Sequence, residues 1–152
     1  HYEMELVFAL KSGGRNITEV DALSHIYGCA AGLDMTRRDL QNKAKENRKP
    51  WDTAKDVDES AVITPLRQMS EVPSVASGRI HLSQNGTVKQ DADLSEMVWS
   101  VPEIIADLST MYTLQQGDVI YMGTPAGVGA VSRGDVLAGG VEGIGDFEVK
   151  IA

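Results

Sequence analysis

The sequence predicts a β-rich α+β domain, and three observations carry the prediction. Short apolar runs of strand length recur from Glu5 to Ile151, separated by turns built on glycine, proline and asparagine. The dipeptide Asn85-Gly86 stands between two alternating segments, a strong local signal for a tight hairpin. Helix signals are few, at residues 17–25, 35–47 and 101–111.

Taken in order, Glu5 to Leu10 reads as a strand headed by Glu3-Met4-Glu5. Side chains i and i+2 share a face of a strand, so Glu3 and Glu5 present two carboxylates side by side. Such a pair repels unless a Lys or Arg, a shared proton or a hard divalent cation stands between its members. The plainer reading is an exposed edge strand with solvated acids. Lys11 to Asn16 is a turn, and 17–25 is a short helix with Thr18 as N-cap, Asp21 at the capping-box spacing and Val20 and Leu23 carrying the period. The run Ile26 to Asp34 is uncharged until its last residue and holds two glycines, as in a buried strand that another backbone approaches closely.

Beyond Asp34 the chain turns polar, and 35–47 reads as an exposed helix that stops before Pro50. Asp34, Arg38 and Gln41 are spaced i, i+4, i+7 and fall on one stripe, which is also the spacing of a plain surface helix with one intrahelical ion pair. Residues 50–58 read as a loop carrying Trp51 and Lys55, and 60–73 as loop and edge strand. Arg79 to Gln90 is the hairpin, with Ile80, Leu82 and Val88 alternating and His81 on the opposite, solvent face. Ser100 caps the helix over 101–111, with Pro102 in the first turn, Glu103 at the capping-box position and Ile104, Ile105 and Leu108 as its core stripe.

Gln116 to Gly129 is a turn, an apolar strand and a glycine-rich loop with Thr124 at its mouth. It has neither Gly-Lys-Ser/Thr nor the Gly-x-Gly-x-x-Gly spacing of nucleotide loops. Its backbone N–H groups and one hydroxyl suit a small carboxylate. Residues 134–151 give two short strands joined by glycine turns.

Length and composition agree with one domain: 152 residues, 42% hydrophobic and 24% charged. A net charge of −8 argues against nucleic acid, which needs a basic face, and no apolar run has the length of a membrane span. The single cysteine, Cys29, lies among small apolar residues and reads as a buried reduced thiol, so the expected location is cytoplasmic. The chain opens in mid-strand without a Met, as a fragment or processed chain would.

The motifs Glu3-Met4-Glu5, Leu33-Asp34-Met35-Thr36-x-Arg38-Asp39-x-Gln41, Pro50-Trp51-x-x-x-Lys55, Asn85-Gly86, Gly117-Asp118-Val119-Ile120-x-x-Gly123-Thr124-Pro125-x-Gly127-Val128-Gly129 and Val141-Glu142-Gly143-Ile144-Gly145 follow in this order. Together they resemble the fumarylacetoacetate hydrolase family over nearly the whole chain, nearest its fumarylpyruvate and acylpyruvate hydrolase branch. The resemblance implies a mixed β-sheet roll of the family's C-terminal domain type with a few short helices, one catalytic domain over 1–152, and a homodimer. It implies Mg²⁺ or Mn²⁺ held by Glu3, Glu5 and Asp34, the oxygen-rich set such hard ions take. Arg38, Gln41 and Lys55 are implied to hold the substrate's oxygens and the oxyanion, and Gly123 and Thr124 to take its carboxylate.

The implied reaction is metal-dependent cleavage of the C–C bond of a 2,4-diketo acid, fumarylpyruvate or another acylpyruvate, to pyruvate and a carboxylic acid. An oxaloacetate decarboxylase or oxo-acid isomerase of the same family is the neighbouring alternative. The sequence departs from the family's pattern in one respect. Members carry, ahead of this region, a Gly-Arg-Asn-Tyr-like motif and a His-Glu pair that activates the attacking water. None of His1, His25 and His81 falls at that position, which leaves open a non-catalytic oxo-acid-binding domain.

Overall fold

Alternation along the first strand organises the molecule. The structure, a computed structural model, describes every residue from His1 to Ala152. Its elements are β1 (Met4–Leu10), α1 (Glu19–Ala22), β2 (Ile26–Asp34), α2 (Arg38–Glu46), α3 (Asp52–Lys55), β3 (Ala61–Ile63), β4 (Arg67–Gln68), β5 (Arg79–Gln84), β6 (Thr87–Asp93), α4 (Val101–Met111), β7 (Val119–Tyr121), β8 (Val136–Val141) and β9 (Gly145–Lys150). One sheet runs β3-β2-β1-β7, with β4 also on β2, and the other runs β6-β5-β8-β9. The β-rich α+β fold predicted from sequence is present, but the sheet implied to be mixed is antiparallel at every strand pairing in both sheets.

β1 has a neighbour on each side, and all seven of its residues are buried, so the acids at its head are not on a solvated edge. Met4, Leu6 and Phe8 enter one contiguous core with Leu82 of β5 and Leu137 and Val141 of β8. Burying each such side chain contributes roughly 1.5–3 kcal/mol. The odd residues Glu3 and Glu5 therefore look out from the opposite face. β7 covers β1 only in part. Its ladder ends with Met122 N–H donating to the Leu6 carbonyl, the chain turns away at Gly123 (φ 92°), and it meets β1 again only where Tyr2 N–H donates to the Gly129 carbonyl.

Several local expectations are modified. The helix over 17–25 is α1 plus a 3₁₀ turn at Leu23–His25; Thr18 does cap it, but Val20 is 93% exposed and Ala22 is the residue it buries. The loop over 50–58 contains one helical turn, α3. The Asn85-Gly86 turn forms, with both residues at positive φ (52° and 78°). The hairpin carries a bulge, however: Leu82 faces Gln90 while Ser83 faces Val88, leaving Lys89 extra. That extra residue reverses the alternation, so Gln90 enters the core and Val88 lies 53% exposed. His81 is half-buried rather than fully solvent-facing, with its Nδ1 enclosed and unpartnered.

Candidate metal and substrate site

Three acids meet where the head of β1 lies beside the end of β2. Met4 pairs with Leu33, Asp34 N–H donates to the Glu3 carbonyl, and Glu5 stands across from Gly32. Because Met4 and Leu33 both point into the core, Glu3, Glu5 and Asp34 emerge together on the other face. One carboxylate oxygen from each lies within 4.8 Å of the others. Glu3 and Glu5 are only 7% and 3% exposed.

Two helices bring cations to the acids. From the first turn of α2, Arg38 donates to Glu3 Oε1 at 2.5 Å and to Gln41 Oε1 at 2.7 Å. Of the stripe predicted from sequence only Arg38 and Gln41 share the helix, because α2 begins at Arg38 and Asp34 ends β2; the acid Arg38 reaches is Glu3, just ahead of β1. From the end of α3, Lys55 Nζ bridges Glu3 Oε2 at 2.6 Å and Asp34 Oδ2 at 2.5 Å. The α3 turn is held in place by Ser60 Oγ, which donates to the Lys55 and Val57 carbonyls, and by Arg37 N–H, which donates to the Ala54 carbonyl. Trp51 at its start lies under the Lys45 ammonium, 4.7 Å from the ring centre.

The charges do not balance evenly. Burial works to raise the pKa of Glu3, but the hydrogen bonds from Lys55 and Arg38 outweigh it and hold Glu3 below the ordinary carboxylate value. For Lys55, burial is likewise outweighed by Asp34 and Glu3, which keep the ammonium charged. Glu5 has no cation bonded to it. Its hydrogen bond comes from Gly123 N–H at 2.7 Å, and burial pushes its pKa up to about 7. A buried carboxylate without a cation costs several kcal/mol. The donor set, three carboxylates whose oxygens lie within 4.8 Å of one another, is of the kind that fits a divalent ion such as Mg²⁺ or Mn²⁺.

The glycine loop lies at the edge of this cluster. Gly123 touches Glu5 directly, and Thr124, one residue on, is half-buried with its Oγ1 accepting from Gln90 Nε2 at 2.8 Å. Thus Gln41, Arg38, Glu3, Lys55 and Asp34 form one hydrogen-bonded chain, Glu5 with Gly123 lies against it, and Thr124 adjoins through the loop. A cavity of about 650 Å³ opens beside the same loop, lined by Leu6, Trp99, Met122 and Thr124 among others. Glu3, Glu5 and Asp34 do not line it: Leu6 and Glu5 point to opposite faces of β1. His25 bonds Ser12 on the exposed surface, and His81 belongs to the other sheet. Gln90 is the residue that sequence reading passed over; only a bulge inside the hairpin, which leaves no sequence mark there, turns it inward.

Residues 1–152 match the fumarylacetoacetate (FAA) hydrolase C-terminal family. The chain belongs to the fumarylacetoacetate hydrolase family. A fumarylpyruvate hydrolase of Ralstonia sp is 51% identical over 151 residues, covering 99% of this chain and 78% of that protein. The mitochondrial oxaloacetate tautomerase of Rattus norvegicus is 35% identical over 151 residues, 99% of this chain and 68% of the relative. The fumarylpyruvate hydrolase of Pseudomonas aeruginosa, solved in complex with Mn²⁺ and pyruvate, superposes with a TM-score of 0.97 at 42% identity, covering 99% of this chain and 65% of that one.

Proposed function

We propose that this member of the fumarylacetoacetate hydrolase family acts on acylpyruvates, fumarylpyruvate foremost, hydrolysing the C–C bond to give pyruvate and a carboxylic acid with Mg²⁺ or Mn²⁺ as cofactor. The observation that carries the reading is Glu5: a carboxylate 3% exposed, beside two others and without a cation of its own. The 51% identical fumarylpyruvate hydrolase and the Mn²⁺–pyruvate complex of a 42% identical one support it.

In this reading Glu3, Glu5 and Asp34 hold the ion. When bound, it supplies Lewis acidity to the 2-keto oxygen and stabilises the enolate that departs as pyruvate. Arg38 is fixed by its hydrogen bonds to Gln41 and Glu3, which hold its positive charge beside the carboxylates where a diketone oxygen would bind, while its Nε is enclosed and unpartnered. Lys55, tethered to Glu3 and Asp34, places a positive charge beside the developing oxyanion. The Gly123–Thr124 loop offers its hydroxyl to the substrate carboxylate.

A coupled assay for pyruvate release from fumarylpyruvate, run on the full-length protein with Mn²⁺ and with chelator, tests the proposal. Turnover should require the ion, and Lys55→Met should lower it by about 10²-fold, the scale of losing one oxyanion donor. Turnover indifferent to chelator would overturn the metal assignment. The oxaloacetate tautomerase relative supports a second reading, isomerisation of an oxo acid on the same site. Interconversion of oxaloacetate tautomers without cleavage of any acylpyruvate would select it.

A further inference from the structure

Gln90 is completely buried, 0% exposed, yet each of its polar atoms is used. Its Oε1 accepts from Met4 N at 3.0 Å, and its Nε2 donates to Thr124 Oγ1 and to the Pro125 carbonyl, each at 2.8 Å. A backbone N–H can only donate and a carbonyl can only accept, so the amide has one orientation. The Met4 bond fills a gap in the sheet. Along that edge of β1, Leu6 is paired by Met122 and Tyr2 by Gly129, while the intervening residues loop away and leave Met4 N–H without a strand. Gln90 supplies the acceptor, and with its other end it holds the loop that departed.

The loop lies directly against β6 at this point. A Cβ on Gly127 would come within 2.0 Å of the Lys89 carbonyl oxygen, so Lys89 and Gln90 form the floor on which the loop rests. One side chain thus connects the strand residue between Glu3 and Glu5 to the hydroxyl and carbonyl that follow Gly123. The consequence for Thr124 is a matter of proton direction. Its Oγ1 already accepts from Gln90 and donates to no protein group, so its own proton is available to an incoming acceptor.

We infer that Gln90 is a positioning residue that sets the Thr124 hydroxyl as a hydrogen-bond donor to the substrate carboxylate, which rests on the reading of Thr124 as a substrate contact given above. Without the Gln90 amide the hydroxyl is free to turn its proton toward the Pro125 carbonyl or the cavity. The Gln90→Met variant keeps the volume and removes all three bonds.

The experiment is calorimetry of pyruvate binding at saturating Mn²⁺ on the full-length protein, Thr124→Val, Gln90→Met and the double variant. Thr124→Val and Gln90→Met should each weaken pyruvate by about 10-fold, the scale of one hydrogen bond to a charged group. The double variant should bind within about 2-fold of Thr124→Val alone, because two changes acting through one group do not add. A purely structural Gln90 would lower Tm and leave pyruvate affinity intact, and that result overturns the inference. So does a Gln90→Met loss of full size in the Thr124→Val background. Normal pyruvate affinity in Thr124→Val alone would instead remove the Thr124 reading. Should Gln90→Met not fold, Gln90→Glu retains the acceptor for Met4 N–H and removes the amide donor, and the same comparison with Thr124→Val decides.

Discussion

Glu5 lies in the network with a backbone amide as its hydrogen-bond partner while Arg38 and Lys55 attend its neighbours. Burial, with the like charges of Asp34 and Glu3 adding to it against the Gly123 N–H, raises its pKa from the ordinary 4.5 to about 7. A carboxyl whose folded-state pKa is raised contributes stability that is fully present below its unfolded value and is lost as pH rises through about 7. An ion that binds the ionised form reverses this, so divalent-ion affinity should climb with pH through the same window. Mn²⁺ calorimetry near pH 6, in two buffers of different ionisation enthalpy, should show close to one proton released per ion, and Glu5→Gln should abolish the release. An ion that binds without releasing a proton would mean that Glu5 is already ionised. Strand spacing made Glu3 and Glu5 legible as a pair, and helix spacing did the same for Arg38 and Gln41, but only the family resemblance joined them with Asp34 into one site. What spacing could not give was the partner of each cation, since Lys55 reaches Glu3 across 52 residues of chain.

At the scale of elements, the glycine loop between β7 and Gly129 depends on two close approaches that leave no room for a side chain. Gly127 has φ 104° and rests on the Lys89 carbonyl, and a Cβ on Gly129 would come within 2.4 Å of the Tyr2 hydroxyl. Gly127→Ala therefore combines a disfavoured backbone with a clash against backbone, and should cost roughly 1–3 kcal/mol. Thermal unfolding should show the fall, with pyruvate affinity reduced as Thr124 shifts; an unchanged Tm would mean that the loop does not rest on β6. The hairpin over Arg79–Gln90 shows where sequence reading ends. Its turn and its Ile80 and Leu82 face were legible from Asn85-Gly86 and from alternation. The bulge at Lys89, which exchanges Val88 for Gln90 at the core, is a matter of how β5 and β6 pair, and pairing register is not written in one strand alone. Likewise the apolar Val20 and Leu23 promised a core face for α1, but one helical turn followed by a 3₁₀ turn buries little beyond Ala22.

At the scale of the molecule, two antiparallel sheets share a core and leave the outward face of β1 to chemistry. Backbone ladders hold β1 between β2 and β7 and its alternate apolar side chains anchor it in the core, so the two acids at its head are carried by a fully buried strand. The helices α2 and α3 then lay Arg38, Gln41 and Lys55 over them, and the β7 loop closes the edge with Gly123. The fold class was legible because short runs and turn residues recur along the whole chain. The meeting of residues 3, 34, 55 and 123, which the sequence offered only through the family resemblance, is a product of topology, and the pairing of β1 with β2 and β7 supplies its physical reason. The most direct measurement is Mn²⁺ calorimetry on the chain and on Asp34→Ala, whose side chain is 27% exposed and whose loss leaves the core untouched. One divalent ion should bind the unaltered protein, and the variant should lose about 100-fold or more of that affinity while unfolding as cooperatively as before. Undiminished Mn²⁺ affinity in a folded Asp34→Ala protein would contradict the assignment of the three carboxylates to one ion.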